Sequence, residues 1–369
     1  MPSRVVVYAS EGRQLHALDL DAAGGGLSLR ATATLPETVQ YAALHPRGRI
    51  LYISASDRAR RHFVAALAFD PRANTLTPHG DPVEAPGGRV IHLAADPEGR
   101  HLVLAHPLAG RLAVLALRAD GTLGAPVAQH EDPVPGFFTH QALLQPDGRG
   151  LVACAMGADA TASAPETRGA LTAYRFEDGR LTRTRRVELA PGLGPRHLAY
   201  AHGRIYVVLE RGNRLAVFDH STGALAPEPQ IVAETLQEPA NVRRSQRAGA
   251  LHFHPNGRWL YVTNRADAAD EGGTFAGGEN NLALFAVDPH TGRPEARGHF
   301  DTGGIEPRAF TIDPMGRFLV VANHSAVGST PRRWTVFRIL DGGRLERVAA
   351  HDRAAGDLFW IASEALSEA

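Results

Sequence analysis

The chain has 369 residues and a formal net charge of zero, with 39 basic and 39 acidic residues. A balanced charge creates no global field that would favour nucleic acid or an anionic membrane, and we expect neither as a partner. The chain contains no lysine, so any basic side chain that binds an anion is an arginine or a histidine. Its length accommodates seven repeats of about fifty residues, and we expect a single domain over residues 1–369.

The N-terminus and the single cysteine both point to an intracellular protein. The first residues show no pattern of a secretion signal, and no apolar stretch is long enough to span a membrane. Cys154 lies within a predicted strand, has no second cysteine with which to form a disulfide, and is expected to be a small buried residue. We therefore expect a cytoplasmic protein that is a monomer or a weak homo-oligomer.

A repeated turn pattern organises the whole chain. The pattern Pro-x-Gly-Arg, followed each time by a short apolar run, occurs at 46–49, 97–100, 146–149, 255–258 and 314–317, with a shortened copy at 202–204. A second turn pattern recurs in step with it, at 70–74, 120–122, 178–180, 288–292 and 341–343. Repeats of about fifty residues that are built on strands are typical of a β-propeller. A β-sandwich is the alternative, but it would not require two turn patterns to keep phase.

Each repeat is predicted to form one four-stranded blade. In the clearest repeat, strands are expected at 196–200, 205–209, 215–218 and 230–232. Second strands of this type occur seven times, at 5–8, 51–53, 102–104, 151–153, 205–209, 260–263 and 319–322. One first strand is missing, and the apolar run 357–362 is expected to supply it. The predicted fold is an all-β, seven-bladed propeller whose N-terminal blade is completed by a C-terminal strand.

Positions at the ends of the first two strands of each blade are predicted to share one face, because these strands run antiparallel. Counting back from each turn glycine, the first strands begin at Gln40, Ile91, His140, Arg196, Gly249 and Arg308. The second strands end near Glu11, Ser56, His106, Asp159, Glu210, Arg265 and His324. We expect one mouth of the central channel to gather His92, His106, His140, Arg196, Glu210, Arg265, Arg308 and His324.

The composition of this mouth indicates a site for an anion. Several arginines and one glutamate around a narrow channel favour an anionic ligand and one acid/base group. For single residues a simpler interpretation exists, because histidines at strand ends are often solvated and Arg308 could pair with Glu306. A non-catalytic propeller that binds a metabolite or a protein is the alternative from another class. It predicts broad exposed aromatic patches, whereas only 7% of the residues are aromatic.

Four segments of the chain are distinctive, at residues 194–198, 206–210, 260–265 and 307–314. They resemble segments of the seven-bladed lactonase family, which contains bacterial propeller-type 6-phosphogluconolactonases and the fungal carboxy-cis,cis-muconate lactonizing enzyme. The resemblance implies a catalytic set of His140, Arg196, Glu210 and Arg265. The chain departs from the family pattern at Ala55-Ser56, His106-Pro107 and Asn323-His324. It also carries loops at 159–168, 266–280 and 325–332 that are expected to border the site.

The expected activity is hydrolysis, or reversible formation, of a small anionic lactone such as 6-phosphogluconolactone. Because no serine nucleophile motif is present, we expect direct attack by water. Arg196 and Arg265 would hold the anion and the developing oxyanion, and either His140 or Glu210 would accept the proton from water, with the imidazole favoured by its near-neutral ordinary pKa. Arg308, His92, His106 and His324 are expected to contact the substrate.

Two other enzymatic interpretations remain open from the sequence. In the first, the same residues catalyse a muconate-type cyclisation. In the second, four histidines and Asp159 bind a divalent metal ion, although the sequence shows no tight ligand spacing. Our prediction is an enzyme that needs neither a metal nor a cofactor. The acidic insertion at 266–280 lacks the alternation of a calcium loop and is expected to be solvated.

Overall fold

The computed structural model describes residues 4–354 and 356–366, and β-strands joined by turns make up most of this part of the chain. The described strands form seven sheets, called sheets 1 to 7 in chain order. Sheet 1 contains β1 (Arg4–Glu11), β2 (Gln14–Leu20), β3 (Leu27–Thr34) and the C-terminal β29 (Ile361–Leu366). Sheet 2 contains β4 (Thr38–Leu44), β5 (Ile50–Ser56), β6 (His62–Asp70), β7 (Thr75–Pro78) and the two-residue β8 (Val83–Glu84).

The remaining five sheets have four strands each. Sheet 3 contains β9 (His92–Ala95), β10 (His101–His106), β11 (Arg111–Leu117) and β12 (Leu123–Pro126). Sheet 4 contains β13 (Thr139–Leu144), β14 (Gly150–Ala155), β15 (Ala170–Glu177) and β16 (Arg180–Glu188). Sheet 5 contains β17 (Pro195–Ala201), β18 (Arg204–Leu209), β19 (Arg214–Asp219) and β20 (Ile231–Glu234).

Sheets 6 and 7 complete the set. Sheet 6 contains β21 (Arg247–Phe253), β22 (Trp259–Arg265), β23 (Asn281–Val287) and β24 (Pro294–Asp301). Sheet 7 contains β25 (Ile305–Ile312), β26 (Phe318–Ser325), β27 (Arg332–Ile339) and β28 (Leu345–Arg353), with the short 3-10 helix Asp341–Gly343 before its last strand. The seven second strands therefore lie where the turn patterns predict them.

The repeated glycine turns have the backbone conformation that selects glycine. The glycines of the Pro-x-Gly-Arg turns and of the shortened copy all have φ between 66° and 74°, a left-handed region that side chains with a Cβ resist. They are Gly48, Gly99, Gly148, Gly203, Gly257 and Gly316. In two places, a tyrosine of a second strand donates a hydrogen bond to a glycine of the second turn pattern in the following sheet. The Tyr52 hydroxyl donates to the Gly121 carbonyl at 2.9 Å, and the Tyr261 hydroxyl donates to Gly343 at 2.6 Å.

The chain divides into two compact units. The first unit comprises the N-terminal segment up to Thr34, Asn213–Leu215 and the chain from Ile231 onward, and it holds sheets 1, 6 and 7. The second unit comprises Leu35–Gly212 and Ala216–Gln230, and it holds sheets 2, 3 and 4 and the first two strands of sheet 5. The second strands are buried along nearly their whole length, as the continuous apolar runs in the sequence require.

The C-terminal strand completes sheet 1, as predicted. β29 pairs antiparallel with β1, from Arg4 opposite Leu366 to Ala9 opposite Ile361. The predicted boundaries were wrong, because the apolar run 357–362 mostly precedes this strand. The Trp360 amide instead donates to the Ser10 hydroxyl at 3.0 Å, which fixes an extended segment before the ladder begins. β29 itself is mainly half-buried and is more polar than the run that precedes it. Its residue pattern therefore does not identify it as the missing first strand of sheet 1.

Candidate active site

Five of the six predicted first-strand starts coincide with β-bulges, whereas Ile91 directly precedes β9. In sheet 4, Thr139 pairs with Ala155 and Gln141 pairs with Cys154, so His140 is the extra residue. The same irregularity singles out Gln40, Arg196 and Arg308 in sheets 2, 5 and 7, and Gly249-Ala250 in sheet 6. A bulge redirects a side chain that would otherwise alternate across the sheet. These positions therefore lie slightly inside the strands rather than at their ends.

A buried ion pair lies at the bulge of sheet 5. The Arg196 Nε atom is 2.7 Å from the Glu210 carboxylate, and the two side chains are 3% and 10% exposed. Arg196 is placed by the bulge, and Glu210 follows the last residue of β18. The Glu210 amide donates to the Gly194 carbonyl at 2.8 Å, and Gly194 adopts φ 60°, so the backbones that carry the two charges are held together.

Two imidazoles lie beside this ion pair. The His140 and His197 rings have their centroids 4.9 Å apart in an edge-to-face arrangement. The Arg196 Nη1 atom lies 3.2 Å from His197 Nδ1. His140, Arg196, His197 and Glu210 are called the Arg196 cluster below. The sequence analysis had predicted His140, Arg196 and Glu210 as site residues. It had missed His197, because nothing but its position next to Arg196 distinguishes that residue in the sequence.

Two of the predicted ligand contacts are deeply buried histidines of sheet 3. The His92 and Tyr41 rings have their centroids 4.5 Å apart and are tilted by 36°. Burial lowers the pKa of His92 to about 3, and the positive charge of Arg196 adds to this effect. His106 lies beneath the Gly87-Gly88 turn, and its Nδ1 atom is 3.2 Å from the Gly88 carbonyl. Burial lowers the pKa of His106 to about 4. Both rings are thus neutral near pH 7, and their contact with a substrate stays a prediction.

A second cluster lies in the first unit and is organised by Glu306. The Arg265 Nη1 atom donates to Glu306 Oε1 at 2.8 Å, and Arg308 Nη1 donates to the same oxygen at 3.1 Å. The Ser325 hydroxyl donates to Oε2 at 2.6 Å. These four residues are called the Glu306 cluster. Arg308 thus pairs with Glu306, as the simpler interpretation of that arginine allowed, and its contact with a substrate stays a prediction. Nothing in the residue pattern indicated that Arg265 shares the same carboxylate.

The Phe359 ring contacts both Arg308 of the Glu306 cluster and the neighbouring His324. The Arg308 guanidinium lies 4.9 Å above the Phe359 ring, and His324 stacks on the same residue at 4.7 Å. The Leu358 amide donates to His324 Nδ1 at 3.1 Å, which makes that nitrogen an acceptor. Burial lowers the pKa of His324, so the imidazole is neutral near pH 7. The predicted contact residue His324 therefore lies beside Arg308 within the first unit.

One predicted strand-end residue was placed wrongly. Asp159 lies four residues beyond the end of β14, in a loop, where its carboxylate is 3.1 Å from Arg211 Nε. The apolar run of β14 ends in Met156 and Gly157, which gave the sequence pattern no clear terminus. Within residues 4–354 and 356–366, no three histidine, cysteine or acidic side chains are grouped as metal ligands.

The acidic insertion uses its carboxylates to bind its own backbone and that of a neighbouring loop. The Asp270 carboxylate accepts from the amides of Gly272 and Thr274, and Glu279 accepts from the amides of Gln237 and Glu238. The segment contains an isolated bridge between Ala269 and Phe275 but no regular strand in its described residues. The carboxylates of Asp270 and Glu279 therefore have a structural use within these loops.

The catalytic candidates fall into two groups. His140, Arg196 and Glu210 lie together in the second unit, whereas Arg265 lies with Arg308 in the first. That all of them face one mouth stays a prediction. Among the described residues, no helix is long and apolar enough to cross a membrane.

Known proteins similar to this chain share both its fold and its length. The model of the family described as "Lactonase, 7-bladed beta-propeller" matches residues 5–351. The 6-phosphogluconolactonase of Bacillus subtilis (strain 168) is 27% identical over 325 residues, covering 85% of this chain and 84% of that protein. The 6-phosphogluconolactonase of Yersinia pestis (strain Pestoides F) is 28% identical over 331 residues, covering 88% and 89%. The Pseudomonas aeruginosa periplasmic gluconolactonase PpgL superposes with a TM-score of 0.80 and 25% identity, covering 99% of each chain.

Seven strand repeats, matched over nearly their whole length, define a β-propeller enzyme of the lactonase class. The chain belongs to the seven-bladed β-propeller lactonase family. The predicted fold, its closure by the C-terminal strand and the resemblance are thereby confirmed. The cytoplasmic location stays a prediction, and one of the similar proteins is periplasmic.

Proposed function

We propose that this protein hydrolyses the lactone of a small sugar acid that carries an anionic group, of the 6-phosphogluconolactone type. The observation that carries the proposal is the buried Arg196–Glu210 pair beside His140. A guanidinium held in a dry site stabilises an oxyanion far better than one in water, because it needs no reorientation during the reaction. The names of the similar Bacillus and Yersinia proteins support the same substrate class.

The proposed reaction begins with attack of a water oxygen on the lactone carbonyl carbon. His140 accepts one proton from this water, and the carbonyl electron pair moves to oxygen and forms the oxyanion. N–H groups of Arg196 donate to that oxyanion. When the carbonyl re-forms, the bond to the ring oxygen breaks, and the ring oxygen leaves as a hydroxyl after taking the proton from His140. The new carboxylic acid then releases its proton to solvent, so each turnover yields one proton.

Glu210 has an orienting role in this scheme. Its carboxylate lies beside the Arg196 guanidinium, where its negative charge is engaged, so we assign the proton transfer to the imidazole. The scheme uses no metal ion. We accordingly expect dialysis against a chelator to leave turnover unchanged, and a loss that zinc or another divalent ion restores would contradict this part of the proposal.

The test follows proton release at constant pH with a panel of lactones. We expect 6-phosphogluconolactone and glucono-1,5-lactone to be hydrolysed, and Arg196→Ala and Glu210→Ala to abolish turnover. Arg214→Ala is the matched control, because Arg214 pairs with Glu234 at 2.9 Å on the exposed surface. A folded wild-type protein that turns over no sugar lactone would contradict the proposal. Turnover of muconolactones alone would instead favour the cyclising activity.

A further inference from the structure

Gln141 is a buried polar residue that the proposed reaction does not use. It directly follows His140 on β13 and is 7% exposed. The Leu198 amide donates to its Oε1 atom at 2.6 Å. Because only the oxygen of a side-chain amide accepts hydrogen bonds, this bond fixes which way the group faces. Gln141 is thus bonded to a backbone group that lies 57 residues away in the sequence.

The bond joins two neighbouring sheets. β13 belongs to sheet 4 and β17 to sheet 5, so no ladder of backbone hydrogen bonds sets the distance between these two first strands. Leu198 packs in an apolar core that contains Cys154 from sheet 4 and Val207 from sheet 5. A backbone amide buried in such a core needs an acceptor, and Gln141 provides one from the opposite sheet.

Gln141 and Leu198 are the sequence neighbours of the two imidazoles in the Arg196 cluster. His140 precedes Gln141, and His197 precedes Leu198. The centroids of the two imidazole rings are 4.9 Å apart. His140 is also the extra residue of a bulge, where the pairing of β13 with β14 is interrupted. The ladder of sheet 4 therefore constrains His140 less than its neighbours, and the Gln141 bond lies one residue away.

We propose that Gln141 is a positioning residue that holds the His140 imidazole in place beside Arg196 and His197 on β17. It acts through the backbone, by fixing β13 against β17 one residue from the proposed base. A misplacement of about 1 Å in a reacting group can lower a rate about 100-fold, so a bond at this point matters for proton transfer. The inference rests on the proposed function for the role of His140 as general base.

A second side-chain bond between the same two strands provides the matched control. The Tyr200 hydroxyl on β17 donates to the Leu143 carbonyl on β13 at 3.1 Å. Tyr200→Phe removes this bond and keeps the ring, and Gln141→Met removes the other bond and keeps a side chain of similar length. If these bonds only stabilise the fold, the two variants should affect turnover equally. The positioning role predicts a large effect for Gln141→Met alone.

The first measurement does not depend on turnover. NMR of the full-length protein with isotope-labelled histidine follows the nuclear Overhauser effect between the His140 and His197 rings. We expect this signal in the wild-type protein and in Tyr200→Phe, and we expect its loss in Gln141→Met. Absence of the signal from the wild-type protein, or its persistence in Gln141→Met, would overturn the inference.

Kinetics with glucono-1,5-lactone supply the second measurement. For Gln141→Met we expect kcat to fall about 10- to 100-fold and KM to change by less than about threefold. For Tyr200→Phe we expect both constants to stay within about threefold of the wild-type values. An equal loss of kcat in the two variants would contradict the positioning role.

Two more substitutions of Gln141 complete the design. Gln141→Glu keeps an acceptor oxygen at the same reach but loses the amide N–H donors, so we expect kcat at the plateau of its pH profile to return to within about threefold of wild type. No recovery would contradict the role of the acceptor. If Gln141→Met fails to fold, Gln141→Asn replaces it, because a side chain one methylene shorter moves the oxygen away from the Leu198 amide. Wild-type behaviour of Gln141→Asn would then overturn the inference.

The two measurements distinguish failure of the inference from failure of the proposed function. If the ring-to-ring signal depends on Gln141 but no lactone is hydrolysed, the positioning role stands and the proposed function fails. If lactones are hydrolysed but neither the signal nor kcat depends on Gln141, only the inference fails.

Discussion

The Arg196 cluster and the Glu306 cluster use the same residue types in different ratios. In the Arg196 cluster, one guanidinium faces one carboxylate, and two imidazoles lie beside them. In the Glu306 cluster, two guanidinium groups share one carboxylate, and the neighbouring imidazole is stacked against Phe359. The Arg196 cluster contains imidazoles, which can accept and release a proton. In the Glu306 cluster, the carboxyl has a pKa of about 2 and the neighbouring imidazole of His324 has a lowered pKa, so neither group titrates near neutral pH.

A carboxylate that faces one guanidinium and a carboxylate that receives donors from two should respond differently to the loss of a charge. In line with the proposed function, we expect substitutions in the Arg196 cluster to lower turnover, and we expect substitution of Glu306 to change the stability of the fold.

The largest effect is expected from His140→Asn. Removing the proposed general base should lower kcat/KM by about 10²- to 10⁴-fold and abolish the acidic limb of its pH profile. His197→Asn is the matched control, since His197 lies against the same guanidinium. A greater loss in His197→Asn than in His140→Asn would reassign the base within the Arg196 cluster.

The second prediction concerns the Arg196–Glu210 pair. Arg196→Met removes the cation that lies 2.7 Å from the buried Glu210 carboxylate, and we expect a loss of about 3–5 kcal/mol in the free energy of unfolding. Turnover should fall by about 10²- to 10³-fold, the usual cost of losing an oxyanion donor. The double variant Arg196→Met/Glu210→Leu should recover most of the stability, measured by chemical denaturation, but none of the activity. If the double variant recovered both stability and turnover, the Arg196–Glu210 pair would contribute to the stability of the fold but not to catalysis.

The third prediction follows from the depressed pKa of Glu306. Its value of about 2 lies below the ordinary value of 4.5, so the deprotonated carboxylate stabilises the folded state. This contribution is complete above about pH 4.5 and is lost as the pH falls toward 2, and it amounts to about 3 kcal/mol. Denaturation curves between pH 5 and pH 2.5 should therefore show a steeper loss of stability for wild type than for Glu306→Gln. Parallel curves would mean that the two arginines do not hold the carboxylate in its charged form.

The smallest effect is expected at the bulge of sheet 6, which is formed by the small residues Gly249 and Ala250. A Cβ atom added to Gly249 would collide with the Thr263 hydroxyl, which accepts a hydrogen bond from the Ala250 amide at 2.8 Å. Gly249→Ala should therefore cost about 1–3 kcal/mol in unfolding free energy. Gly26→Ala is the matched control, because a Cβ atom there meets nothing within 4 Å. Equal stability of the two variants would show that this bulge can adapt to a side chain, as the bulges at Gln40, His140, Arg196 and Arg308 do.

Several residues of the candidate site could be predicted from the sequence, because the position of each first strand follows from its distance to the next turn glycine. Counting back from each turn glycine singled out His140, Arg196 and Arg308, which the structure places at bulges. The bulges themselves were not predictable. A bulge is a mismatch in the pairing of two strands, and the residue pattern of either strand alone does not reveal it. The shared use of Glu306 was equally hidden, since Arg265 is 41 residues away in sequence.

The number of repeats, the position of each second strand and the closure of the first sheet by the C-terminal strand could be predicted from the residue pattern. They could be predicted because left-handed glycine turns and fully apolar strands are local requirements that recur along the chain. Which charged side chains pair with each other could not be predicted in this way. A buried carboxylate pairs with a cation that lies at the right distance and in the right direction, and both are set when strands from different parts of the chain pack side by side.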